Sequence, residues 1–114
     1  MRFFESLFGR GSSRNKAVAL YKRGMSKAKK HDHDGAIEDY SAAIDMPDTP
    51  LDLKAMAQYN RSLVYAAAKD NAKAVGDLKA VLAMAELPTN VKAAAEEKLK
   101  KIERRYDESH SRER

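Results

Sequence analysis

"GAIEDYSAAI", residues 35–44, sets small or apolar side chains at Ala36, Ile37, Tyr40, Ala43 and Ile44. That is the i, i+3/i+4, i+7 spacing of a single helical face. A face made of alanines and one tyrosine buries itself only against a neighbour that comes very close, and such a neighbour is another helix lined with small side chains. The segment therefore reads as one half of a tightly nested helix pair.

The same period extends outward in both directions. Upstream, Ala17, Val18, Tyr21, Gly24, Met25 and Ala28 form an apolar stripe, with Ser12 or Ser13 expected to cap its start. Lys29, Lys30 and His31 suit a helix C-terminus before a break over residues 32–35, after which Asp34 is expected to cap the second helix. "MPDTPLD", residues 46–52, interrupts again, with Thr49 and Pro50 as cap and first-turn residue of a third helix. That helix carries Ala55, Met56, Tyr59, Leu63, Ala66 and Ala67 on one side. A fourth, opening after Asp70 or Asn71, carries Ala74, Val75, Leu78, Val81, Leu82 and Ala85. "LPTN", residues 87–90, opens a fifth with Val91, Ala94, Ala95, Leu99, Ile102 and Tyr106. The tail from Asp107 has no apolar partner and is expected to fray.

Composition agrees with an all-α chain. Of 114 residues, 43% are hydrophobic and 34% charged, the balance of a single soluble domain. Nineteen alanines against three phenylalanines and no tryptophan describe a core of small side chains. With no cysteine, disulfides and thiol-ligated metals are excluded, and a reducing, cytoplasmic setting is expected. The first ten residues, broken by Glu5, are too short in apolar run for a secretory leader. The net charge of +5 is unevenly placed: residues 34–53 hold six acids and no Lys or Arg, whereas residues 1–33 hold nine Lys/Arg against two acids. Alternation of this kind fits neighbouring helices with complementary faces better than a continuous nucleic-acid stripe.

Shifting the chain by 38 residues lays residues 17–46 on 55–84 with ten identities, among them Tyr21/Tyr59, Arg23/Arg61, Asp32/Asp70, Ala36/Ala74 and Asp39/Asp77. Within each copy, Gly24, Ala36 and Tyr40, then Tyr65, Ala74 and Leu78, stand where the tetratricopeptide (TPR) pattern W-x2-L-G-x2-Y…A-x3-F…P has its glycine, tyrosine, alanine and aromatic residues. The chain resembles a two-repeat TPR protein. Leu20 and Gln58 replace the tryptophan, Arg23 and Arg61 the leucine, Lys27 the first tyrosine, and Ser62 the second glycine.

The resemblance implies antiparallel helix pairs stacked as a short right-handed solenoid over residues 13–108, with repeats at 17–50 and 55–88, a capping helix at 89–108 and a disordered tail at 109–114. It also implies a protein–protein interaction module, an adaptor or scaffold of co-chaperone type, holding a peptide or helix of another protein in a concave groove. By that likeness the groove is lined by Val18, Tyr21, Lys22, Met25 and Lys29 from the first repeat, and by Met56, Tyr59, Asn60 and Leu63 from the second. "YNRS", residues 59–62, is similar to the stretch whose asparagine holds a peptide terminus in chaperone-binding members, while Tyr21 and Met25 occupy their lysine and asparagine positions. Lys22 and Lys29 offer charge to an acidic partner.

Other features give weaker signals. "HDHD", residues 31–34, has two histidines too closely spaced to share a helical face, and its place in a turn is role enough. No constellation of catalytic residues, no phosphate loop and no cofactor motif is visible, so no enzyme activity is expected. "MRFFESLFGRGSS", residues 1–13, concentrates Phe3, Phe4, Leu7 and Phe8 beside arginines, and reads as an amphipathic segment and linker over residues 1–12. That segment packs on the repeats, fills the groove, contacts a dimer partner or rests on a membrane surface. RNA binding by the repeats is a further alternative, weakened by having only two units.

Overall fold

The computed structural model describes the backbone of residues 2–112 and the side chains of residues 14–109. Five helices make up the described chain: α1 (Arg2–Lys29), α2 (His33–Asp45), α3 (Leu51–Ala67), α4 (Asn71–Leu82) and α5 (Thr89–Arg112). Each packs on its neighbour in sequence, and α3 also touches α1 on one side and α5 on the other. The all-α expectation holds.

The α1–α2 and α3–α4 turns are built alike, residue for residue. His31 (φ 63°) and Lys69 (φ 67°) lie 38 positions apart, and both adopt the left-handed conformation that ends a helix. At each, two hydrogen bonds close the last turn: His31 N–H to Ala28 O and Asp32 N–H to Lys27 O, then Lys69 N–H to Ala66 O and Asp70 N–H to Tyr65 O. Asp32 and Asp70 then cap the following helices, their carboxylates accepting from Gly35 N–H and Lys73 N–H. Asp32, not Asp34, is therefore the cap of α2, because a single left-handed residue reverses the chain and the next helix begins at once. The glycine that opens "GAIEDYSAAI" serves this cap, since a Cβ at Gly35 would collide with the Asp32 carboxylate and with Lys27.

Two further boundaries differ from expectation. Thr49 does not cap α3, for its hydroxyl donates to Ala43 O at 2.7 Å and closes the end of α2, leaving Pro50 as the cap residue. Likewise α1 does not begin near Ser12 but runs unbroken through Gly9, Gly11 and Ser13, so the expected linker is helical backbone. The side chains of Phe3, Phe4, Leu7 and Phe8 lie outside the described residues. At the other end α5 continues to Arg112, past the expected fraying point, because Glu, Lys and Arg are good helix formers and Glu97–Lys101 (3.2 Å) adds an i,i+4 pair.

The helices of each pair run antiparallel, with Arg23 on Asp39, Gly24 on Tyr40 and Lys27 beside Gly35. Their core forms two adjoining clusters. Ala36, Tyr40, Ala43 and Ile44 of α2 meet Ala57 and Val64 of α3, while Ala74, Leu78 and Val81 of α4 meet Ala95 and Ile102 of α5. Fully burying one such leucine or tyrosine contributes about 2 kcal/mol. Close approach is visible at Gly24, where a Cβ would stand 2.7 Å from Cε1 and 2.8 Å from Cδ1 of the buried Tyr40 ring. The alanine-and-tyrosine face of α2 thus makes room for α1 at its glycine.

The fifth helix keeps the same 38-residue register. Ala57 and Val64 of α3 correspond to Ala95 and Ile102 of α5, all buried, and Lys54 N–H to Pro50 O corresponds to Lys92 N–H to Pro88 O. In that register Gly24 and Ser62, both buried, are followed by Lys100, which is exposed.

Candidate functional site

Two polar clusters hold the helix pairs in place, and they are copies. Arg23 Nε and Nη2 donate to Asp39 Oδ2 (2.9 Å) and Oδ1 (2.8 Å), and Arg61 Nε and Nη2 donate to Asp77 Oδ2 (2.9 Å) and Oδ1 (2.6 Å). Planar bidentate pairing of this kind fixes orientation as well as distance. Both aspartates are buried. Lys27 adds a second cation to Asp39 at 3.1 Å, while Gln58 adds an amide to Asp77 at 3.3 Å. Arg61 also donates to Ser41 Oγ at 2.9 Å, which ties α3 to α2 across the boundary between the pairs.

Asp39 is held below the usual carboxylate range chiefly by its hydrogen bonds from Arg23, with burial opposing and Lys27 assisting. A depressed value means that its stabilising contribution is complete above the ordinary aspartate range and is lost as pH falls through the lower folded value. Urea unfolding from about pH 5 downward should therefore show stability falling below about pH 4. The Asp39→Asn variant should start lower and decline less steeply over the same window. Parallel curves for the two proteins would contradict the pairing.

The nine expected groove residues lie along α1 and α3, and the structure divides them. Lys22, Lys29 and Met56 are exposed, whereas Val18, Tyr21, Met25, Tyr59, Asn60 and Leu63 are half-buried. Tyr21 and Met25 pack against the first core cluster and Tyr59 against the second. Asn60 donates its amide to the Tyr21 hydroxyl at 3.0 Å, so these two residues from different copies meet and join α1 to α3. Tyr21 also lies against Tyr40, with ring centroids 6.0 Å apart. Burial first, and Tyr21 second, raise the Tyr40 phenol above its ordinary value, with the Asn60 amide opposing. Tyr21, Asn60 and Tyr40 are thus engaged with one another, while Lys22 and Lys29 are exposed and in no ion pair among the described residues.

Residues 31–34 do not form a turn as a unit: His31 ends the turn and His33 begins α2, their rings meeting edge to face at 6.4 Å. Among the described residues no group of three or more His, Cys, Asp or Glu side chains is placed to hold a metal ion, and no helix is long and apolar enough to cross a membrane.

A site absent from the sequence reading opens between α3 and α5. It is a cleft of about 350 Å³ lined by Leu63, Ala66, Ala67 and Ile102, with Lys69, Asn71, Lys98 and Arg105 around it. The signal that could have found it is the spacing Lys98, Ile102, Arg105, which is i, i+4, i+7 on α5. An adjoining cleft between α4 and α5 shares Asn71 and Ile102 with the first and is lined also by Ala72, Val75 and Tyr106 with Glu103 and Asp107.

No family model, no curated protein and no solved structure matches this chain.

Proposed function

We propose that the chain is a TPR-like interaction module that binds a peptide or helix of another protein, acidic in character, along the face formed by α1 and α3. The reading is carried by one observation: α3 touches both α1 and α5, so the first helices of successive units form a row. On that row Lys22, Lys29 and Met56 are exposed. A row of parallel helices with exposed cations and one exposed apolar side chain suits an extended or helical ligand bearing carboxylates. Its small-residue nesting, with Gly24, Ala36, Ser62 and Ala74 all buried, is the support for the TPR likeness.

Affinity capture from a lysate, with mass spectrometry, compares the wild type with a Lys22→Glu/Lys29→Glu variant. Both lysines are exposed and in no ion pair among the described residues, so the variant keeps its fold, as circular dichroism checks. Partners recovered by the wild type are expected to be lost or depleted with the variant. Equal recovery removes this face as the binding site.

A further inference from the structure

We infer that the cleft between α3 and α5 receives an acidic peptide segment that anchors itself by one apolar side chain. The inference rests on the interaction-module reading above, and assigns the acidic part of the ligand to the α5 end of the row. Two helical stripes face each other across the cleft: Leu63, Ala66 and Ala67 at i, i+3, i+4 on α3, and Lys98, Ile102 and Arg105 at i, i+4, i+7 on α5. Lys69, at the left-handed position of the α3–α4 turn, also lines the cleft. The floor is aliphatic and the surrounding charges are three cations with no carboxylate.

Among the described residues Lys69, Lys98 and Arg105 have no acidic side chain within ion-pairing distance. The charge is also specific to this place. In the 38-residue register the α3 counterparts of Lys98 and Arg105 are Asn60 and Ala67, so the earlier unit offers no such pair of cations. The adjoining cleft, which shares Asn71 and Ile102 with this one, has the opposite sign, with Glu103 and Asp107. An acidic ligand is thus attracted to the first cleft and repelled from the second. A protein segment is favoured over RNA because no aromatic side chain lines the cleft, and single-stranded nucleic acid is held mainly by stacking on such rings. An aliphatic floor takes a leucine or valine instead.

The test uses the full chain and a short fluorescein-labelled peptide with a central leucine flanked by glutamates, read by fluorescence anisotropy at low salt. The wild type is expected to bind it. Glutamine in place of the glutamates, serine in place of the leucine, or the Lys98→Glu/Arg105→Glu variant should each weaken binding about tenfold or more. Lys79→Glu, a change at an exposed α4 residue that lines neither cleft, should alter it less than about twofold. No binding by the wild type overturns the inference, as does equal binding by the Lys98→Glu/Arg105→Glu variant. Loss with Lys22→Glu/Lys29→Glu alone also overturns it while leaving the α1–α3 face standing, and displacement of the peptide by a lower concentration of single-stranded RNA reassigns the cleft to nucleic acid. Circular dichroism of the variants confirms that the loss is of binding and not of fold.

Discussion

Gly24→Ser lowers stability by about 2 kcal/mol, a fall in Tm of roughly 10 °C, even though it removes a glycine from the interior of a helix. Helix propensity alone would make the change stabilising by several tenths of a kcal/mol. The collision decides the sign: a Cβ at position 24 stands 2.7 Å from the Tyr40 ring, and that ring is only 2% exposed, leaving it nowhere to go. The second copy carries the compensated version, with Ser62 and Leu78 both fully buried at the equivalent positions. Gly24→Ser/Tyr40→Leu should therefore be less damaging than the sum of its single changes, with a coupling of about 1 kcal/mol. Strict additivity of the two would mean that the helices do not meet at this point.

The second large effect comes from the duplicated ion pair. Removing Arg61 by alanine substitution leaves Asp77 buried with only the Gln58 amide, at 3.3 Å, and should cost about 3 kcal/mol or more by urea unfolding. The same change at Arg23 should cost less. Arg23's side chain is 61% exposed against 18% for Arg61, and Lys27 stays at 3.1 Å to neutralise Asp39. Arg61→Met/Asp77→Leu, which removes both charges and keeps the volume, should return to within about 1 kcal/mol of the wild type. If the double variant is as unstable as Arg61→Ala, the pair is contributing more than relief of a buried charge.

Much of this fold is legible in the sequence because its governing contacts are short-range and periodic. The apolar faces of α2 and α4 follow from spacing alone, whereas α3 buries Ala57, Ser62 and Val64 beside Ala55 and leaves the expected Met56 and Ala67 exposed, and Tyr106 at the end of the α5 stripe is exposed. The ten identities at a shift of 38 residues announce the duplication that the turns, caps and ion pairs then display. What spacing does not carry is backbone handedness at a single residue. His31 and Lys69 adopt a left-handed conformation without being glycine, so the tight α1–α2 turn was expected to be longer and its cap later. The continuity of α1 was hidden for a related reason, since Gly9 and Gly11 lower helix propensity without forbidding a helix.

The candidate site was legible only in part. Lys22, Lys29 and Met56 are exposed as a binding face requires, but the spacing that marks Tyr21, Met25 and Tyr59 as groove residues marks core packing equally well, and all three pack on the core clusters. Asn60 could not be paired with Tyr21 from sequence, because their contact spans 39 positions between helices that are not consecutive. The cleft beside α5 escaped notice since α5 shares few identities with α3. Its register is recorded in burial, at Ala95 and Ile102, and in the identities Pro50/Pro88, Lys54/Lys92, Ala55/Ala93 and Ala57/Ala95, none of which lies at a cleft residue.

The nesting of helix pairs through small residues, twice over, is tested most directly by nuclear Overhauser contacts in solution. The α-protons of Gly24 should show strong contacts to the ring protons of Tyr40, and the β-protons of Ser62 should show contacts to the methyl groups of Leu78. Absence of both sets, in a chain that is still helical, would contradict the account.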